Sequence, residues 1–239
     1  MEEKSEQKYY IMPDEAIARQ EELRKQIKIQ PLEGELKTVA GADISFNRGS
    51  NELHAGFVVL RLSDLKVVAR SLASKTVNFP YIPGLLAFRE IPALLKAWKQ
   101  LQQKPDIVIL DGHGIAHPRR MGIATQFGIT VDQPTVGCAK NVLTGHFRNL
   151  GKSRGSFEYL IDDDEKVGMV YRSRDNVKPV FISPGHKVSF ADARAIVERC
   201  LTGYKLPETT RQVHSAVNKL RKGEWKEGYR ENPAQNSFE

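Results

Sequence analysis

Ile107-Val108-Ile109-Leu110 is an unbroken apolar run that starts just after Pro105 and stops on the carboxylate of Asp111. A run that is apolar at every position suits a strand covered on both faces, as in a parallel or mixed sheet. No other feature constrains the chain as much, because layers must then lie on both sides of that strand. In open α/β sheets ligands bind beyond the carboxyl ends of the strands, so Asp111 stands where chemistry would be done. Gly112, His113 and Gly114 follow, a backbone able to turn tightly and approach a ligand closely. His117, Arg119 and Arg120 come next and suit phosphate. An acid at a strand tip, glycines and a basic cluster point to a metal site facing a phosphodiester. The plainer alternative is an aspartate that only caps the loop.

Upstream, Leu36 to Phe46 alternates. Ala40, Ala42, Ile44 and Phe46 share one face; Val39, Gly41, Asp43 and Ser45 share the other. Asp43 therefore sits mid-strand on a face of small residues with open space above it. Strands disfavour Asp, and burying an unpaired charge is costly; a metal ion, a basic partner or a face open to water would each remove the cost. Leu53–Leu60 and Lys66–Val77 are two further β-like runs around Ser63-Asp64, which predicts a three-strand antiparallel meander. In Phe79-Pro80-Tyr81-Ile82-Pro83-Gly84 the prolines stiffen a short loop. Its Tyr81 either packs on the core or wedges into a base stack.

Leu85, Phe88, Ile91, Leu94, Leu95, Trp98 and Leu101 recur at helical spacing, with Glu90 at the edge of the stripe. Pro92 predicts a kink or break beside Glu90, since an interior proline costs about 3 kcal/mol. Taken alone, Glu90 reads as a solvated helix residue. Residues 13–28 suit a surface helix and Met121–Gly128 a short one. Thr135–Ala139 suits a strand ending at Lys140, on the rim of Asp111 if the two strands are parallel. Residues 145–156 form a basic, glycine-rich loop, solvated or in contact with a nucleic-acid backbone. Val167–Tyr171 and Val180–Ser183 predict a hairpin, Val188–Leu201 a helix, and a last helix follows Pro207 with Val213, Ala216, Val217 and Leu220 inward. His214 lies beside that stripe and reads by itself as an ordinary helix residue. We expect one domain over 1–230 and a disordered polar tail over 231–239.

The formal charge of +7 favours an acidic partner, nucleic acid first and an anionic membrane surface second. No apolar run reaches the roughly 18 residues needed to span a bilayer, and the first ten residues lack a signal-peptide core. Cys138 and Cys200 have no metal-ligand spacing and suit reduced thiols. The expectation is a cytoplasmic protein, monomeric and without a membrane partner.

Three antiparallel strands, a helix, a strand, a helix and another strand, with Asp43, Glu90 and Asp111 on the first strand, the first helix and the fourth strand, is the layout of the ribonuclease H-like α/β fold: a mixed sheet flanked by helices. Oxygen ligands select Mg²⁺ or Mn²⁺, and two such ions about 3.5–4 Å apart can cleave a phosphodiester. The chain resembles the endonuclease V family, which nicks DNA at deoxyinosine. The likeness runs from about Leu36 to Leu220 and rests on VAGADISF, PYIPGLLAFRE, DGHGIAHPRRMGIA, GCAKNVLTG, FISPGH and LPETTRQVH.

The resemblance implies Asp43, Glu90 and Asp111 as Mg²⁺ ligands, with Mn²⁺ able to substitute, His214 as a fourth catalytic position and Lys140 near the scissile phosphate. It implies Tyr81, between Pro80 and Ile82, as the wedge that parts the strands. Backbone around Gly84, Leu86, Gly112 and Gly122 would line the base pocket. Arg89, His117, Arg119 and Arg120 would hold nucleic-acid backbone or support the acids. The implied reaction is hydrolysis of the second phosphodiester bond 3′ to the lesion, leaving 3′-hydroxyl and 5′-phosphate with the base still attached. Two departures stand out: Gln126 where the family often has His, and Cys138 where an aliphatic residue is usual. Inosine-containing RNA or single strands as substrate, a silent nucleic-acid-binding protein and a branched-DNA resolvase are the competing readings.

Overall fold

The computed structural model describes residues 11–232. Nine strands form one sheet in the order β6-β7-β8-β5-β4-β1-β2-β3-β9. β1 (Thr38–Phe46), β2 (Glu52–Arg61) and β3 (Val67–Thr76) make the expected antiparallel meander. β4 (Ile107–Leu110) runs parallel to both β1 and β5 (Thr135–Ala139). β6 (Phe157–Asp162), β7 (Glu165–Tyr171) and β8 (Val180–His186) close that end antiparallel, and β9 (Gly228–Glu231) closes the other. Sequence reading missed β6 and β9. Both are edge strands with mostly exposed or half-buried residues, so neither carries an apolar run.

The four residues of β4 divide as a doubly covered strand must. Ile107 and Ile109 join the core under α4 (Phe190–Arg199) and α5 (Glu208–Arg221). Val108 and Leu110 join the core under α2 (Leu86–Gln100) and α3 (Ile123–Val131), where Phe57, Trp98 and Phe127 rings meet. The predicted break at Pro92 does not occur: α2 runs unbroken through it. Ile91, Ala93, Leu94 and Trp98 are buried against the sheet, and that packing outweighs the one helical hydrogen bond proline removes.

α1 (Pro13–Arg24) turns Ala16, Gln20 and Leu23 inward. Ala16 packs on Phe79 and Leu85 beside Ile82 and Phe88, so α1 braces the loop that carries Tyr81. Both cysteines are buried and free, and burial pushes both thiols up, Cys200 to about 12. Glu231, placed by sequence in the tail, pairs with Ala69 as the last residue of β9; residues 233–239 of that expected tail lie outside the described residues.

Candidate active site

Asp43 on β1, Asp111 at the end of β4 and His214 on α5 converge at the carboxyl rim of the sheet. One ligand atom from each lies within 4.8 Å of the others. The sequence placed open space above Asp43. Instead, α5 covers that face, because Gly41 lets the helix backbone come close: a Cβ there would lie 2.2 Å from the Thr209 carbonyl oxygen. This approach brings His214 Nδ1 to 2.8 Å from Asp43 Oδ2. The other Asp43 oxygen accepts from the Ile44 amide at 2.7 Å. Lys140, at the end of β5, donates to Asp111 Oδ2 at 2.5 Å.

The electrostatics are those of crowded acids. Burial raises the Glu90 carboxyl to about 8, and Asp43 and Asp111 add repulsion that Arg89 only partly offsets. Burial and Asp43 also raise Asp111, against the pull of Lys140 and His214. His214 rises chiefly through its bond to Asp43. Lys140 loses some charge preference to burial and regains more from Asp111, a net rise. Glu90, on α2, stands outside the tight cluster and lines the adjoining cavity with Asp43 and Asp111. Two carboxylates and an imidazole within reach of one point, with a third acid held nearby against its charge, fit a hard divalent cation.

The cavity beside the cluster is about 270 Å³, near the lower end of small-molecule sites. Gly84, Leu86, Gly112 and Gly122, the expected base-pocket residues, all line it, as do Tyr81 and Leu143. Gly84 has φ +79°, a left-handed conformation that glycine adopts without steric cost. Tyr81 is 62% exposed on its proline-flanked loop at the cavity mouth, so it does not pack on the core. Pro80 and Ile82 beside it are half-buried.

The four basic residues expected to hold nucleic-acid backbone or support the acids all make bonds within the protein. Arg89 is buried and donates to the carbonyls of Phe79 at 2.6 Å and Ser50 at 2.7 Å. His117 is buried, and burial with the neighbouring Arg119 charge lowers it to about 4. Arg119 bonds Gln20 and the Gly84 carbonyl. Arg120 pairs with Asp162 at 2.6 Å and Glu165 at 3.0 Å. All four hold protein loops around the site. Gln126 is buried on α3. Sequence reading missed Gln20; its signal was a polar residue at i+4 from Ala16 and i−3 from Leu23 in a buried stripe.

The chain matches the family described as Endonuclease V over residues 21–215. It is 45% identical over 215 residues to Endonuclease V of Myxococcus xanthus, covering 90% of this chain and 92% of that one. The crystal structure of Endonuclease V from Streptomyces avermitilis superposes with a TM-score of 0.86 at 37% identity, over 91% of this chain and 96% of that chain. Ciona intestinalis Endonuclease V, in complex with a 24mer DNA containing an inosine followed by a ribo-adenosine, superposes with a TM-score of 0.77 at 26% identity, over 89% and 98% of the two chains.

Proposed function

The chain belongs to the endonuclease V family, and on that premise we propose that it is a Mg²⁺-dependent repair endonuclease that recognises deoxyinosine and cuts the second phosphodiester bond on its 3′ side. The observation that carries this reading is the shared wall: Asp43, Glu90 and Asp111 line the cavity while Asp43 and Asp111 also belong to the cation-fitting cluster. A base held in the cavity would thus place its own backbone at the acids.

Tyr81 enters the stack as the damaged nucleotide rotates out. The cavity receives the base, and backbone groups around Gly84, Leu86, Gly112 and Gly122 read its edges. Hypoxanthine has a carbonyl where adenine has an amino group and lacks the amino group of guanine, so close backbone donors and acceptors can separate the three. Asp43, Glu90 and Asp111 would hold the divalent ion, which when bound supplies Lewis-acid activation of water and charge stabilisation at the leaving oxygen. His214, oriented by Asp43 through Nδ1, would order the attacking water through Nε2. Lys140, held at the rim by Asp111, sets positive charge where the phosphate gains negative charge in the transition state. The bond between phosphorus and O3′ breaks, leaving 3′-hydroxyl and 5′-phosphate ends.

The test is a denaturing-gel assay on a labelled duplex with one deoxyinosine, with Mg²⁺ and with chelator, beside Asp111→Ala. One metal-dependent nick 3′ to the lesion, lost in the variant while binding persists, is the expected result. Binding without cleavage in the parent would instead identify a silent binding protein. Inosine-containing RNA is the second reading, favoured by the ribo-adenosine that follows the inosine in the strand bound by the Ciona relative. Matched ribo- and deoxyribo-inosine strands decide between the two by their nicking rates.

A further inference from the structure

Gln20 is the polar member of the buried stripe of α1 and has no solvent exposure. Its side chain is fully used. Nε2 donates to the Gly84 carbonyl at 3.1 Å and to the Met121 carbonyl at 3.4 Å, and Oε1 accepts from Arg119 Nε at 2.5 Å. Arg119 in turn donates through Nη2 to the same Gly84 carbonyl at 2.7 Å, and His117 Nε2 lies 3.1 Å from it. Gly84 belongs to the loop between β3 and α2, and Met121 to the loop between β4 and α3; both line the cavity, and Gln20 does not. One amide outside the cavity therefore bridges two of its backbone walls.

We propose that Gln20 is a positioning residue that sets the spacing and direction of the two backbone walls that read the base. This rests on the reading of the cavity as a base pocket. A pocket that discriminates through backbone groups has no side chain with which to adjust. Its selectivity depends on where the Gly84 and Met121 peptides are held, and a small misplacement is costly. The planar amide is suited to the task because it offers two donors and an acceptor in one rigid unit. The Gly84 carbonyl keeps the Arg119 bond without Gln20, so the loop stays folded while the tie to Met121 is lost.

The experiment uses the full chain with Gln20→Met, which keeps length and apolar packing, and Gln20→Glu, which keeps the acceptor for Arg119 but removes both donors. Single-turnover nicking with Mg²⁺ is titrated with enzyme on matched duplexes carrying deoxyinosine or deoxyadenosine at one position, and thermal midpoints are recorded. Both variants should raise the half-saturating concentration on the inosine duplex about tenfold. Maximal rate should stay within about twofold, and the inosine-to-adenine preference should fall. An unchanged half-saturating concentration in either variant overturns the proposal. So does a loss of maximal rate alone, or an equal loss on both duplexes with a lowered thermal midpoint. A parent chain that shows no preference for inosine removes the base-pocket reading itself, whereas parental preference kept intact in both variants removes only the role of Gln20.

Discussion

Glu90 is held in the cavity wall with a carboxyl raised to about 8. In the unfolded chain it ionises near the ordinary carboxylate value, so between about 4.5 and 8 the folded protein binds the extra proton. Stability without a cation must then fall as pH rises through that window, by on the order of a few kcal/mol in all. Glu90→Gln should raise the thermal midpoint in chelator at pH 8, leave it nearly unchanged at pH 4, and abolish cleavage; a thermal scan at both pH values checks this. Tyr81 is the second residue whose surroundings decide its role. It is exposed at the cavity mouth on a loop braced by α1 and by the Arg89 bond to Phe79. Tyr81→Ala should lower preference for inosine over undamaged duplex about tenfold while leaving the Mg²⁺ dependence of the nicking rate unchanged, as read from nicking at varied Mg²⁺. Equal binding and cutting by parent and variant would end the wedge assignment.

At the scale of elements, the contact of α5 with β1 assembles the centre. Gly41 is its condition, since a methyl group there would run into the Thr209 carbonyl. Gly41→Ala should destabilise the fold by about 1–3 kcal/mol and cut activity further than the stability loss explains. The added methyl moves α5, and with it His214, away from Asp43. Urea unfolding beside nicking rates at full folding separates the two effects. α2 makes the complementary point. Its apolar stripe is strong enough to carry the helix through Pro92, which keeps Glu90 in the cavity wall.

For the whole molecule, the formal charge of +7 works with the site, because a nucleic-acid strand brings many phosphates to a basic surface. Arg89, His117, Arg119 and Arg120 are engaged in internal bonds, whereas Arg148, Lys152 and Arg154 in the 145–156 loop are exposed. Affinity for duplex should fall linearly in log–log plots against salt, by at least about tenfold between 50 and 200 mM, for inosine-containing and undamaged strands alike. A flat salt response would show that phosphate contacts contribute little.

Features that depend on local pattern are legible in the sequence. β4 is apolar at every position because it is covered on both faces, β1 alternates because one face joins the α2 core while the other carries Gly41 under α5 and Asp43 in the acidic cluster, and α2 and α5 carry stripes that only a helix can bury. The six motifs of the resemblance carried the family, and the comparisons show it. Three things needed the tertiary structure. β6 and β9 are edge strands whose pairing leaves little trace in hydropathy. The inward turn of four basic residues depends on carbonyls and acids from distant segments, such as Asp162 for Arg120. Gln20 meets its partners 64 and 101 residues away. Periodicity records which side of an element faces the core, because that depends on the chain's own geometry. It does not record which polar group waits there, because that group is brought in by the rest of the fold.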